Sequence, residues 1–284
     1  MGGGTYSSSL RSVRAESMGY YTKSTNEIFT ERSINNAMDP HGLTIRESRD
    51  SDEHPNSVAI IVALDLTGSM GSIPSYLVKD GLPKMVSKII QNGVPDPQIL
   101  FTGVGDHECD KYPLQVGQFE SSDELLDHWL TKIHLEGGGG ANAGESYLLA
   151  WYLAAFHTSI DCFEKRNEKG FLFTIGDEPT LTSLPTHSLK TLLGEGQYSD
   201  MTHKTLLEKA SEKYHVYHIH IKETRAGSFV QTIDGWKELL GQNLLVANHH
   251  SEVSDIISDV IINNTKNKSN ISSEPSIDDG TILL

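Results

Sequence analysis

The run VAIIVAL, Val58 to Leu64, is apolar at every position and ends at Asp65. A strand exposed on one face alternates apolar and polar residues, so this unbroken run predicts a strand covered on both faces of a parallel sheet. Farther on, Leu77, Val78, Met85, Val86, Ile89 and Ile90 recur at helical spacing behind Pro74, which a first helical turn tolerates. Gly81 and Pro83 are expected to kink or divide that helix. QILFTGVGD reads as a second strand and PLQVGQFE as a third. Ser121 and Ser122 ahead of DELLDHWLTKI mark a helix start, with a serine cap and an acidic first turn. A four-glycine loop, Gly137 to Gly140, precedes an apolar helix predicted from Glu145 to about Phe163. GFLFTIGDEP and HVYHIHIKET are further strands, and SEVSDIISDVIINN is a closing helix. Strands alternating with helices predict a doubly wound α/β fold around a mostly parallel sheet.

The flanks have a different pattern. Residues 1–57 are polar with few apolar anchors, TNEIFTERSINNAM suits one short helix, and SRDSDEHPNS reads as a charged linker. The expected organisation is an N-terminal arm over 1–57 packed on the core or on a partner, a folded domain over 58–264, and a disordered polar tail over 265–284.

Composition narrows the function classes. The 284 residues carry a formal net charge of -15, which argues against broad binding of a phosphate backbone and predicts no nucleic-acid partner. Only Cys109 and Cys162 occur, too few for a disulfide framework or a thiolate zinc site, and they suit a reducing cytoplasm. MGGGTYSSSLRSVR has no apolar signal core and misses the myristoylation pattern at Tyr6. No stretch reaches the ~18 apolar residues of a membrane helix. YLLAWYLAAF, Tyr147 to Phe156, reads instead as a buried helix. The expectation is a soluble cytoplasmic protein without a membrane partner.

Candidate chemistry gathers at strand ends. In doubly wound sheets ligands bind beyond the carboxyl ends of the strands. VALDLTGS, GVGDHE and TIGDEP place Asp65, Asp106 and Asp177 there. Carboxylates and hydroxyls without histidine or cysteine form a hard-oxygen set that suits Mg²⁺, with Mn²⁺ or Ca²⁺ as alternatives. Crowded carboxylates raise one another's pKa values, and a divalent cation relieves that repulsion. Asp65, Thr67 and Ser69 alternate along the chain, so an extended turn would direct their oxygens one way, with Gly68 and Gly71 bending the backbone.

Other motifs read more plainly. His107, Glu108, Cys109 and Asp110 are sequential and fit a polar hairpin loop, with Asp106 alone reaching the ion's second shell. His218 and His220 share a strand face and read as partly exposed strand histidines. His249 and His250 point to opposite sides if extended. The tetraglycine has no GK[ST] after it and is not a nucleotide-binding loop.

DLTGSM resembles the DxSxS-type motif of the von Willebrand factor A family, and FLFTIGDEP resembles that family's later strand ending in a metal-directed aspartate. LEGGGGANAGESY sits where the family's second motif lies, and the resemblance spans roughly Val58 to Asn263. It implies a metal-ion-dependent adhesion site in which Thr67 and Ser69 bind the ion directly, while Asp65 and Asp177 bind directly or through water. The family usually adds a threonine from its second motif. Here the loop is similar to the GGGDxPE-type subgroup, which puts Asn142 at the Asp and Glu145 at the Glu, with Ser146 beside them. A charged Glu145 would lower the ion's net charge and weaken capture of a partner's carboxylate; equally, it suits the positive end of the helix it begins.

The resemblance implies metal-dependent protein recognition and no catalysis, with a partner's Asp or Glu filling an open position on the ion. Stand-alone intracellular bacterial members of this kind often serve as adaptors for AAA+ ATPases of the MoxR kind. DLTGSM also resembles the aspartyl-phosphate motif of haloacid-dehalogenase-like phosphatases and P-type ATPases, in which Asp65 would attack phosphorus. Leu181 and Thr182 stand where that motif's second Asp belongs, and membrane helices are lacking. In a third reading the ion cements the loops and the arm mediates assembly.

Overall fold

The computed structural model describes residues 4–137 and 144–271, without the side chains of Ser69 and of residues 267–271. Its central sheet contains β1 (Val58–Asp65), β2 (Pro97–Val104), β3 (Leu114–Val116), β4 (Gly170–Gly176), β5 (Tyr214–Ile221) and β6 (Leu244–Ala247). The strands lie in the order β6-β5-β4-β1-β2-β3, all parallel except β3, which runs antiparallel to β2. The chain therefore leaves β1 toward one edge and returns to its other side at β4. That reversal opens a crevice at the carboxyl end of β1.

The apolar run of β1 is divided between two cores because successive side chains point to opposite faces. Ile60, Val62 and Leu64 join one core, and Ala59, Ile61 and Ala63 the other. The first face is covered by α3 (Ser72–Tyr76), α4 (Leu82–Gln91), α5 (Asp123–Thr131) and α10 (Val253–Ile271). The second is covered by α6 (Leu148–Phe156), α7 (Thr186–Leu193), α8 (His203–Lys213) and α9 (Val230–Leu240). Among the described residues no helix is long and apolar enough to cross a membrane.

The division at Gly81 and Pro83 takes a specific form. α3 and α4 are joined by a wide turn, Leu77–Gly81, in which the N–H of Leu82 donates to the Leu77 carbonyl. Proline lacks an N–H and its ring crowds the carbonyl four residues back, so the helix widens there and continues. Gly81 fits under the ring of Tyr76, where an added Cβ would come within 2.8 Å.

The helices α7, α8 and α9 and the edge strand β6 were not read from the sequence, and the ends of α6 and of the chain also differ from that reading. α6 starts at Leu148 and ends at Phe156, short of the predicted Glu145-to-Phe163 span. At its front, Glu145 bridges to Thr180; behind it, Thr158–Ile160 pairs in parallel with Arg46–Ser48. The β-branched Thr158 and Ile160 suit that ladder better than another helical turn. At the C-terminus, residues 265–271 continue α10, and the rest of the segment expected to be a disordered tail, 272–284, lies outside the described residues.

The N-terminal arm packs on the domain. α1 (Ser8–Ser17), which the polar composition concealed, is capped by Ser7 and buries Arg11 and Ala15. Arg11 Nε meets Asp127 Oδ1 at 2.9 Å with both side chains almost fully buried, and Arg11 also donates to the Val78 carbonyl. Arg14 pairs with Asp123 on α5. α2 (Thr25–Ile28) follows, and Tyr20, Ile28 and Phe29 enter the first core. Farther along, the Met38 carbonyl accepts from Val116 N at 2.9 Å on β3.

Candidate metal centre

Asp65 closes β1 and is 1% exposed. Its Oδ1 accepts from the backbone N–H of Thr67 at 2.8 Å and from the Thr67 hydroxyl at 2.6 Å. A buried carboxylate captures the nearest donors along the chain. The segment after Thr67 consequently curls into a 3₁₀ turn, Gly68–Met70, in place of the extended turn expected. The Thr67 hydroxyl donates its proton to Asp65 and so presents its oxygen as an acceptor, the role a cation ligand needs.

The other Asp65 oxygen accepts from the Tyr147 hydroxyl at 2.7 Å. The sequence reading assigned Tyr147 to a packing helix and missed this role. Its tip crosses β4 at Gly176, where an added Cβ would lie 1.7 Å from the hydroxyl oxygen. The glycine before Asp177, opposite an aromatic that opens the apolar helix, was the available signal.

The remaining predicted carboxylates converge on the same edge. Asp106 follows β2 and is fully buried; its Oδ1 accepts from Glu108 N at 2.8 Å, and its backbone N–H donates to Asp110 Oδ2 at 2.7 Å. Glu145 is 4% exposed and held by its backbone, which donates to the Pro179 carbonyl and accepts from Leu181 N, both at 2.9 Å. Asp177 follows β4 and is fully buried. Asp106 Oδ2 and Glu145 Oε2 are buried without a hydrogen-bond partner among the described residues. Neighbouring Ser146 accepts from His107 N at 2.9 Å and contacts His107 Nδ1 at 2.7 Å, so the hairpin after β2 is tied to the start of α6. Asn142 lies outside the described residues, as does the side chain of Ser69.

Electrostatics bind the group together. Burial pushes the Asp65 carboxyl up to about 7 against the pull of its Thr67 and Tyr147 donors, and the charge of Asp177 adds to the rise. Burial likewise pushes Glu145 up to about 9, helped by the charges of Asp65, Asp110, Asp106 and Glu178. No basic side chain is among the main influences on either carboxyl. Buried acids that oppose one another's ionisation, two with an unpartnered oxygen, match a hard divalent cation in chemistry and charge.

A cavity of about 320 Å³ opens at this edge, bounded by Asp65, Thr67, Gly68 and Gly71 and by Thr25 and Asn26 of the arm. Larger cavities of about 650 and 480 Å³ lie elsewhere. The first shares the His107–Asp110 hairpin, but neither is lined by Asp65, Thr67, Glu145 or Asp177. Of the four acids only Asp65 lines the smaller cavity, which opens at the Asp65–Thr67 end of the group.

The histidine readings change. His218 and His220 are fully buried, not partly exposed. The His218 ring stacks on Trp236 at 3.7 Å, and its Nδ1 contacts Thr174 Oγ1 at 2.9 Å. His220 Nε2 contacts the Gly227 carbonyl at 2.9 Å. Burial lowers the pKa of both rings, so they are neutral packing groups.

No protein-family model matches the chain, and no curated protein matches it either. Among solved structures it is similar to the pilus adhesin SpaC from Lactobacillus rhamnosus GG in its open conformation, with a TM-score of 0.48 and 10% identity over 76% of this chain. The match covers 31% of the adhesin, so the chain spans about a third of that protein's length. It is also similar to proximal thread matrix protein 1 from the mussel byssus, with a TM-score of 0.42 and 13% identity over 73% of this chain and 46% of that one.

Proposed function

We propose that this chain is a von Willebrand factor A-like recognition module that binds a protein partner through a divalent cation, Mg²⁺ in the first instance, at the Asp65 edge. The observation that carries the reading is the set of buried acids, Asp65, Asp106, Glu145 and Asp177, gathered at the carboxyl ends of β1, β2 and β4 and at the start of α6. The strand order, with its reversal at β1 and a single antiparallel edge strand, agrees with it.

The residues that would hold the ion are Thr67, Asp177 and Glu145, with Ser69 and Asn142 contributed by the resemblance. Asp65 Oδ1 already accepts two donors and Oδ2 one, so Asp65 suits a water-bridged role. Tyr147 fixes the Asp65 carboxylate plane, and the paired backbone of Glu145 keeps its carboxyl at the edge. Asp106 belongs behind these groups. When bound, the cation supplies an electrophilic position that a partner's Asp or Glu fills in place of water. Thr25 and Asn26 restrict what enters. An AAA+ ATPase of the MoxR kind is the partner class this reading favours.

Attack by Asp65 on phosphorus is less well supported. The residue is 1% exposed, and both its oxygens already accept hydrogen bonds. Affinity purification with the intact chain, with and without chelator and beside Asp65→Ala, tests the proposal. Metal removal and the variant should each abolish capture while the fold persists. Capture that survives chelation overturns it, and an acid-stable mass gain of one phosphate on Asp65 would favour the phosphatase reading.

A further inference from the structure

Parallel pairing of β5 with β6 aligns Ile221 with Ala247. Two residues beyond each strand end, the same alignment brings Glu223 opposite His249 at the carboxyl edge of the sheet. The Lys222 N–H donates to the Ala247 carbonyl at 2.9 Å, which holds the two exits together. His249 and His250, adjacent in the chain, do not diverge; their ring centroids are 4.1 Å apart. Glu223 Oε1 lies 2.7 Å from His250 Nδ1, and Glu223 Oε2 lies 3.2 Å from His249 Nε2. The three ligand atoms all fall within 4.8 Å of one another.

We propose that Glu223, His249 and His250 form a transition-metal site of the Zn²⁺ class, separate from the all-oxygen centre at Asp65. Two imidazoles and a carboxylate are borderline donors that Mg²⁺ does not favour. Tetrahedral ligands about 2.0–2.1 Å from zinc sit roughly 3.3 Å apart. A carboxylate that gives the ion one oxygen keeps one of the two Glu223–histidine contacts as a ligand pair. The 3.2 Å contact already has that spacing, the 2.7 Å contact runs to the other oxygen, and the three ligand atoms lie within 4.8 Å of one another as they stand.

Without an ion, each ring nitrogen shares a proton with the carboxylate. With one, that proton must leave the ligating nitrogen. For neutral His250 it moves from Nδ1 to Nε2; for neutral His249 it moves to Nδ1, where Ser251 Oγ, 2.7 Å away, accepts it at the expense of the 3.3 Å bond from Ser251 N. The Ser251 hydroxyl then orients the ligand from behind. The turn is pinned as well: the Tyr76 hydroxyl donates to the Ser251 carbonyl at 2.8 Å, and the Tyr76 ring meets His250 edge-on. His249 is 54% exposed, so an ion has access and keeps a position for water or a donor from another molecule.

The test is competition of the full-length, tag-free chain with a chromophoric zinc chelator in excess Mg²⁺. One Zn²⁺ should be retained, with affinity unchanged in Asp65→Ala. His250→Ala and Glu223→Gln should each weaken it by about tenfold or more, and His249→Ala with His250→Ala together by more. Co²⁺ loading should give a visible absorption band that Glu223→Gln loses. Melting curves identify variants that fail to fold, in which case the isosteric Glu223→Gln decides. Wild-type affinity in the folded variants, or no zinc retained by the wild type, overturns the proposal.

Discussion

At the scale of single residues, the Asp65 edge is held by a few contacts between groups that oppose one another. Glu145 illustrates the sign of that opposition. Its folded carboxyl is raised to about 9, so at neutral pH the fold must bind a proton that the unfolded chain releases. Its contribution opposes folding above the ordinary carboxyl range and vanishes below it. Glu145→Gln should therefore stabilise the metal-free protein at pH 7 by on the order of 1 kcal/mol or more, with no gain near pH 4. Denaturant midpoints across that range check it. Under the recognition reading Mg²⁺ at a hundredfold excess over Kd should stabilise the wild type by about 2.7 kcal/mol, and the same variant should lose most of that gain. Tyr147→Phe should cost about 1–3 kcal/mol, because it leaves a buried Asp65 oxygen without its donor. Urea unfolding with and without Mg²⁺ separates that loss from loss of the ion.

At the scale of elements, local pairings decide where helices stop and loops dock. Asp161 shows this beyond α6: it meets Arg49 at 2.8 Å and Lys165 at 2.6 Å, and accepts from Asp50 N at 2.8 Å. Burial alone would raise its pKa, but these donors outweigh burial and bring it down to about 2. A depressed carboxyl stabilises the fold above its unfolded value of about 4 and loses that contribution as pH falls through about 2. Wild type and Asp161→Asn should thus differ in stability at neutral pH and converge toward pH 2, as denaturant titration will report. This network joins the charged linker to the segment after α6, and periodicity gives no sign of it. β1, β4 and β5 were legible because they are apolar over most of their length and end in acids or turn signals, whereas the short edge strand β6 was not read from the sequence. The end of α6 was not, since Thr158 leaves the helix to pair with Arg46, far away in sequence. Asp65, Asp106 and Asp177 were legible at strand ends. Tyr147 was hidden because its hydroxyl matters only once β4 lies beneath it.

At the scale of the whole molecule, the arm and the domain share one core. Packing of the arm on the core or on a partner was expected, but α1 itself was hidden, because it is amphipathic through Arg11 and Ala15 and a buried arginine has no apolar signature. Breaking the Arg11–Asp127 pair by Arg11→Ala strands a buried carboxylate and should cost about 3–5 kcal/mol. The combined Arg11→Met, Asp127→Leu protein should recover most of that loss. A double-mutant cycle by chemical denaturation measures both.

Anchorage of the arm on either side of Thr25 and Asn26, at Arg11 and at Met38, has a further consequence. Tyr20, Ile28 and Phe29, buried in the shared core on either side of Thr25 and Asn26, hold that segment at the cavity beside Asp65. Under the recognition reading, selection then works by girth: a lone side chain or slender extended segment reaches the acids, while a broad flat face is turned away.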